Sequence, residues 1–300
     1  MTLAPRVVVV HRTTERDGLL ATHGSAGQAA FFLRTRGRDL VEVEARDAAQ
    51  RSALAVVEAA IPRGWRQGRV ERADLPRFRF APEDVVVVVG QDGLVANVAR
   101  YLDGNPVIGV DPDPGRNAGV LVRHAPAEVE ELLPAVVAGR APVERRAMVR
   151  AEADDGQRLD ALNEIYLGHE THQTARWTLV EPDGARERQA SSGLLVTTGT
   201  GATGWCRSVS RERGDTMPLP AATQRGLAWF VREAWPSPVT GVEHTAGMLG
   251  PGAGLEEGIA VVVESDRLVA FGDGIESDRL TLTWGQRVRV SESPRVLLLV

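Results

Sequence analysis

The stretch Asp84-Val85-Val86-Val87-Val88-Val89-Gly90-Gln91-Asp92-Gly93-Leu94-Val95-Ala96-Asn97 decides the fold. A run of five valines is too short for a helix and β-branched throughout. It reads as a strand buried on both faces, the pattern of a parallel sheet. The strand stops at Gly90. Leu94, Val95, Val98 and Leu102 then recur at helical spacing, and Pro106 to Val110 supplies a second apolar strand, which completes a βαβ unit.

The first turn of such a unit faces ligands, because the helix N-terminus points unpaired N–H groups and a positive dipole end above the sheet. Phosphate suits that place. Gly90 and Gly93 permit a tight turn and close backbone approach, while Asp92 adds a carboxylate at the same spot. A carboxylate repels phosphate. Asp92 would therefore act through Mg²⁺ or as a base toward an acceptor hydroxyl; an ordinary helix N-cap is the other reading.

Working outward, Arg6 to Val10 reads as a strand with a polar His11-Arg12-Thr13-Thr14 loop at its ligand-bearing end. Gly27 to Arg36 and Ala45 to Ala60 carry helical spacing, whereas the arginine-rich Gly64 to Arg79 reads as an irregular surface connection. On the other side, Gly109 to Gly119 holds two Asp-Pro pairs, which force an extended or turned backbone at the sheet edge. Pro126 to Val137 reads as a helix with an acidic first turn. From Glu144 the texture changes to short strands separated by turns: 145–152, 164–167, 175–180, 193–198, 259–264, 268–271, 280–283 and 287–290. The expected architecture is an α/β N-terminal doubly wound domain plus a predominantly β C-terminal domain. Its boundaries are 1–125 and 126–300, with a last strand at 295–300, uniformly apolar from Val296, packing back on the first domain.

Composition narrows the function. The chain of 300 residues has a net charge of -5 and no basic run interleaved with aromatics, so nucleic acid is not an expected partner. Neither a signal peptide nor a spanning stretch precedes the strand at Val7–Val10, and a cytoplasmic protein is expected. The single cysteine, Cys206, excludes an internal disulfide and a cysteine-based zinc site. There is no lysine: all 35 basic residues are arginine. A Walker-type loop, a protein-kinase site and Schiff-base chemistry are thereby excluded. Phosphate handling would fall to backbone N–H groups, arginine and metal.

In the second half, Asn163-Glu164 stands at a strand start, where an amide and a carboxylate could grip ribose hydroxyls or simply form the turn. The stretch Ser191 to Trp205 runs a strand into Thr198-Gly199-Thr200-Gly201-Ala202-Thr203-Gly204-Trp205. That loop offers N–H donors, hydroxyls and a stacking face suited to a nucleotide, or it is a glycine-rich turn. Asp183-Gly184 and Asp273-Gly274 are hairpin-type dipeptides. Glu164 and Asp273 are candidates for a pair of acids.

Taken in order, these residues resemble the NAD kinase family, and within it the mitochondrial-type branch. Gly90-Gln91-Asp92-Gly93-Leu94 is similar to the family's Gly-Gly-Asp-Gly-Thr, Asn163-Glu164 to its Asn-Glu, and Ser191 to Trp205 to the branch's Ser-Ser-Gly with Thr-Gly-Thr-Gly and an aromatic. Gly109 to Pro114 looks like its Gly-Val-Asn with a nearby Asp-Pro, and Arg232-Glu233 and Asp273-Gly274 fall where the branch has such pairs. The resemblance implies an ATP-dependent kinase that phosphorylates the adenosine ribose 2′-hydroxyl of NAD, with Mg²⁺ carried by the nucleotide. Asp92 would be the catalytic residue, the carboxylate that activates this 2′-hydroxyl for attack on the γ-phosphate; Asn163, Glu164, Thr203, Trp205 and Asp273 would line the dinucleotide site. Gly90, Gln91, Gly93, Thr198, Gly199, Thr200 and Gly201 would hold donor phosphates. A homodimer or higher homo-oligomer through the β-rich half is implied as well. Gln91, Leu94 and Asp111 depart from the family's glycine, threonine and asparagine. A sugar, cyclitol, nucleoside or lipid diol acceptor, as in the related diacylglycerol kinases, and a nucleotide-binding homologue without transfer are the alternatives.

Overall fold

The computed structural model describes residues 4–115, 119–214 and 217–300. Residues 116–118 of the Asp-Pro loop lie outside them. The chain divides into two units, Met1–Val143 with Leu298–Val300, and Glu144–Leu297. The division falls later than the boundary expected after residue 125, because the helix after it packs Val129 and Leu133 into the first unit's core.

The first unit is built on β1 (Arg6–His11), β2 (Arg66–Glu71), β3 (Asp84–Val89) and β4 (Pro106–Val110). All are parallel, in the order β2-β1-β3-β4, and Leu298 and Leu299 continue the sheet in parallel beside Pro106 and Val107. Val85 to Val89 are at most 3% exposed, which makes β3 the doubly covered strand that its composition predicts. At its start, buried Asp84 takes two hydrogen bonds from Arg6, its register partner on β1, at 2.7 and 2.5 Å. Around the sheet stand α1 (Glu15–His23), α2 (Ala26–Arg34), α3 (Leu40–Ala60), α4 (Asp92–Ala99) and α5 (Val129–Val137).

One expectation is corrected here, and one element was not foreseen. The arginine-rich connection is not irregular: it holds β2 and a 3-10 turn at Arg72–Arg77. As an edge strand β2 buries only Val70, so its exposed arginines masked the pattern. Helix α1, capped by Thr14 and ended by left-handed Gly24, buries no residue and so leaves no periodic signal.

The second unit comprises β5 (Glu144–Ala153), β6 (Arg158–Ala161), β7 (Glu164–Gly168), β8 (Ala175–Val180), β9 (Arg186–Ser191), β10 (Gly193–Thr198), α6 (Trp205–Glu212), β11 (Leu227–Arg232), β12 (Ala246–Leu249), β13 (Ile259–Val263), β14 (Leu268–Gly272), β15 (Arg279–Leu282) and β16 (Arg287–Leu299). One sheet runs β12-β11-β10-β7-β14-β15, and β16-β13-β8-β9 with β5 and β6 form the other. Side chains of both build one core that includes Trp177, Trp229, Ile165, Leu194 and Val261. The alternation along β10 is plain. Leu194 and Val196 enter that core, while Leu195 faces Cys206 and Val209 of α6 with Phe230.

Candidate functional site

Asp92 is the first residue of α4 rather than its cap. Gln91 occupies the N-cap position and makes no side-chain cap bond. The Asp92 carboxylate reaches instead to the loop after β4: Oδ1 accepts from the N–H groups of Leu121 and Val122 at 2.8 and 3.0 Å, and Oδ2 from Val120 at 3.0 Å. Gly109 lets that loop come close, since a Cβ there would lie 2.0 Å from the Leu121 carbonyl oxygen. His124 fixes the same segment through its N–H to Gly109 and its ring to the Val300 carbonyl at 2.9 Å. Neither sequence reading of Asp92 foresaw this, because backbone donors have no side-chain signature.

The departures in the turn have physical accounts. Gln91 has φ -103 and ψ 164, an ordinary extended conformation that needs no glycine. Leu94 is 3% exposed and packs its Cδ2 3.0 Å from where a Cβ of Gly90 would stand, so it closes the turn from below. Asp111 is buried and accepts from the N–H of Asp113 at 3.0 Å. A Cβ at Gly93 would meet nothing within 4 Å, leaving the backbone open there.

Above the carboxyl ends of β1, β3 and β4 lies a cavity of about 480 Å³ lined by Arg12, Thr13, Thr14, Gly90, Gln91, Pro112 and Asp113, with Arg46, Asp47 and Gln50 of α3. This is where open parallel sheets receive ligands. Asp92 does not line it. The α3 residues were missed, although a signal existed: Asp47 and Gln50 interrupt the buried stripe Val43, Ala53, Leu54, Val57. Both are buried and held, Gln50 by the Val89 carbonyl at 3.0 Å and Asp47 by Thr14 and Arg51.

In the second unit, stretches far apart in sequence meet. Asp273, at positive φ 54 in the turn after β14, accepts from the N–H groups of Leu162 and Asn163 at 3.0 and 2.7 Å, and its own N–H donates to the Glu164 carbonyl. Thr197 and Thr198 hold the same turn from β10. Their hydroxyls donate to the carbonyls of Asn163 and Leu162, and the Thr198 N–H donates to Asn163. Gly201 must be glycine, since a Cβ would lie 2.3 Å from the Asn163 carbonyl oxygen.

The Thr198–Gly201 loop, expected to hold donor phosphates, turns two of its N–H groups inward. Thr198, Gly199, Thr200 and Gly201 are buried, and the N–H groups of Thr200 and Gly201 donate to the Thr198 hydroxyl at 3.1 and 3.2 Å. The loop spends those donors on itself and braces Asn163-Glu164. Thr203 donates its hydroxyl to Thr200. Trp205 stacks on Tyr166 at 5.5 Å and lies under Arg232 at 5.3 Å, an aromatic pair whose tyrosine the sequence reading did not single out.

Glu164 stands out electrostatically. Its carboxyl makes no hydrogen bond or ion pair among the described residues, and burial, with the nearby Asp273 charge, pushes it up to about 7. The charge of one of the two acids singled out from the sequence thus acts on the other. Among the described residues no group of three or more His, Cys, Asp or Glu is placed to hold a metal ion, and no helix is long and apolar enough to cross a membrane.

No family model matches the chain. It is 32% identical over 136 residues to an NAD kinase of Methylococcus capsulatus, covering 42% of this chain and 44% of that one. It is 33% identical over 186 residues to an NAD kinase of Cellvibrio japonicus, covering 59% and 57%. The chain thus spans about half the length of the curated relatives it matches. A crystal structure of an NAD kinase from Archaeoglobus fulgidus in complex with ATP aligns over 98% of this chain and 92% of that one, with a TM-score of 0.57 and 18% identity. The fold, an α/β unit with a β-rich one, is that of an NAD kinase.

Proposed function

We propose that the chain is an ATP-dependent kinase that transfers the γ-phosphate to the adenosine ribose 2′-hydroxyl of NAD and releases NADP. The observation that carries this reading is the meeting of Asn163-Glu164, the Thr197–Thr203 loop and Asp273, across as many as 110 residues, in one braced turn beside Trp205. Those are the stretches that resemble the dinucleotide-binding motifs of NAD kinases, and the relatives at 32–33% identity bear that name.

On this reading Asn163, Glu164, Thr203, Trp205 and Asp273 serve the dinucleotide, with Asp273 acting by holding the turn. Gly90, Gln91 and Gly93 serve the donor, and the cavity beside them with Arg12 takes its phosphates without lysine. Mg²⁺ would be carried by the nucleotide and not by side chains of this protein, and would offset the charge of the phosphates. Positioning and electrostatics then supply most of the rate. The reading extends to the mitochondrial-type branch, to a cytoplasmic enzyme, and to a homodimer or higher homo-oligomer through the β-rich unit.

The test is direct. The intact chain supplied with ATP, Mg²⁺ and NAD yields NADP and ADP in equal amounts. ADP release that depends on a sugar, cyclitol or lipid diol and ignores NAD replaces the acceptor. Dinucleotide binding without turnover reduces the protein to a binding homologue.

A further inference from the structure

We propose that Tyr166 is a positioning residue for the dinucleotide: its ring fixes the plane of Trp205, on which a base of the substrate stacks. This rests on the kinase reading above and deepens its acceptor site.

Trp205 cannot hold itself in place. It opens α6 directly after Gly204, at a helix start with no side-chain cap, and its indole N–H has no hydrogen-bond partner among the described residues. The ring is half-buried at the rim of the apolar cluster of Leu195, Cys206, Val209, Ala228 and Phe230. An indole free to turn would lose that freedom when a base settles on it, and the loss would be subtracted from affinity. A ring fixed beforehand avoids it.

The fixing comes from the sheet. Tyr166 stacks on Trp205 with ring centroids 5.5 Å apart and planes inclined by 22°. Phe271, the register partner of Tyr166 on β14, packs on the same tyrosine ring at 5.1 Å. Tyr166 itself has little room to turn. Its phenol donates to the Ser192 carbonyl at 2.6 Å, and burial raises its pKa, so the proton stays on. Gly168 and Gly193 clear the space beside it. A Cβ on Gly168 would lie 2.2 Å from the phenol oxygen, and one on Gly193 2.3 Å from the ring. An apolar side chain would cover the sheet there as well. The hydroxyl bond and the two bare positions add orientation, which a merely covering residue does not need. The Arg232 guanidinium, 5.3 Å from the indole centroid, is a second hold on Trp205.

The experiment is a double-mutant cycle on NAD binding to the intact chain, read by titration calorimetry and again as the KM for NAD in NADP formation. Tyr166→Leu weakens NAD binding by roughly tenfold, the upper worth of an aromatic pair, and changes kcat and the KM for ATP far less. Tyr166→Phe keeps the ring and loses only the phenol bond, so its loss is roughly threefold. Trp205→Leu weakens binding at least as much as Tyr166→Leu. Adding Tyr166→Leu to Trp205→Leu weakens it no further, because Tyr166 acts only through the indole. Acrylamide quenching of Trp205, taken as the difference from the matching Trp205→Leu protein, increases in Tyr166→Leu. Losses that add in the double variant, or an NAD affinity untouched by Tyr166→Leu, overturn the inference. If the leucine variant does not fold, the same cycle on Tyr166→Phe decides. Wild type that binds NAD without making NADP removes the kinase reading and leaves the cycle to be read by calorimetry. Wild type that binds no NAD removes both.

Discussion

Asp92 and Glu164 are both acids at a strand mouth, and the two units treat them in opposite ways. Asp92, in the parallel unit, is bound by a loop only 28–30 residues downstream. Its charge is met by backbone donors. Glu164, in the β-rich unit, sits in a turn fastened from β10 and from Asp273, and its own side chain is left out of that fastening. Its charge is held in reserve at a cost. The difference teaches that two acids placed alike in sequence can be left in unlike states, one satisfied by backbone donors and one raised by burial.

The glycines repeat the contrast and give the sharpest way to break it. Gly201→Ala drives a Cβ to 2.3 Å from a backbone oxygen and 2.6 Å from the Thr197 hydroxyl. A loss of about 3 kcal/mol is expected from such overpacking, together with loss of NAD binding. Gly93→Ala meets nothing within 4 Å and lies in a helix, so thermal unfolding should be unchanged or later, by up to about 1 kcal/mol. Its ATP KM should nevertheless rise if phosphate approaches the open backbone there. Calorimetry and kinetics on both variants decide the matter, and unaltered ATP kinetics in Gly93→Ala would take the turn out of donor binding.

A smaller effect follows from the cost of Glu164. Its folded carboxyl stands near 7 against an ordinary 4.5. The unfolded chain therefore gives up this proton first, and the folded state loses stability as pH rises from about 4.5 to about 7. Allowing for partial solvent screening, the loss is on the order of 2 kcal/mol above pH 8. Glu164→Gln carries no such charge. Denaturant unfolding should find it more stable than wild type at pH 8 and equal to it near pH 4, the usual exchange of stability for function. Equal stability at both pH values would mean that the carboxyl is as comfortable folded as unfolded.

Much of the fold is legible in the amino-acid sequence, and the parts that are not have common causes. The valines of β1, β3 and β4 announce a parallel sheet because burial on both faces leaves no alternation to interpret. Helix α3 begins at Leu40, earlier than its alanine-rich part suggests, because the Asp39 cap accepts from Val41 and extends it. Strand β9, whose first half carries two arginines and one glutamate outside the core, was hidden like β2. At the site, each motif was visible alone. The Asp273 clasp on Asn163 was not, since its partners are backbone N–H groups 110 and 111 residues away.

The smallest expected effect concerns Gln91, where the two units can be separated most cleanly. The residue is exposed and extended, so Gln91→Gly should cost only about 0.5 kcal/mol through the freer unfolded chain. It lines the cavity with Arg12, and removing its side chain enlarges that space. The KM for ATP should therefore shift, by less than about tenfold because one neutral contact contributes roughly 1 kcal/mol, while the KM for NAD stays put. A shift in the NAD value with ATP unaffected would exchange the roles of the two units, placing the acceptor at the parallel sheet and the donor beside Trp205.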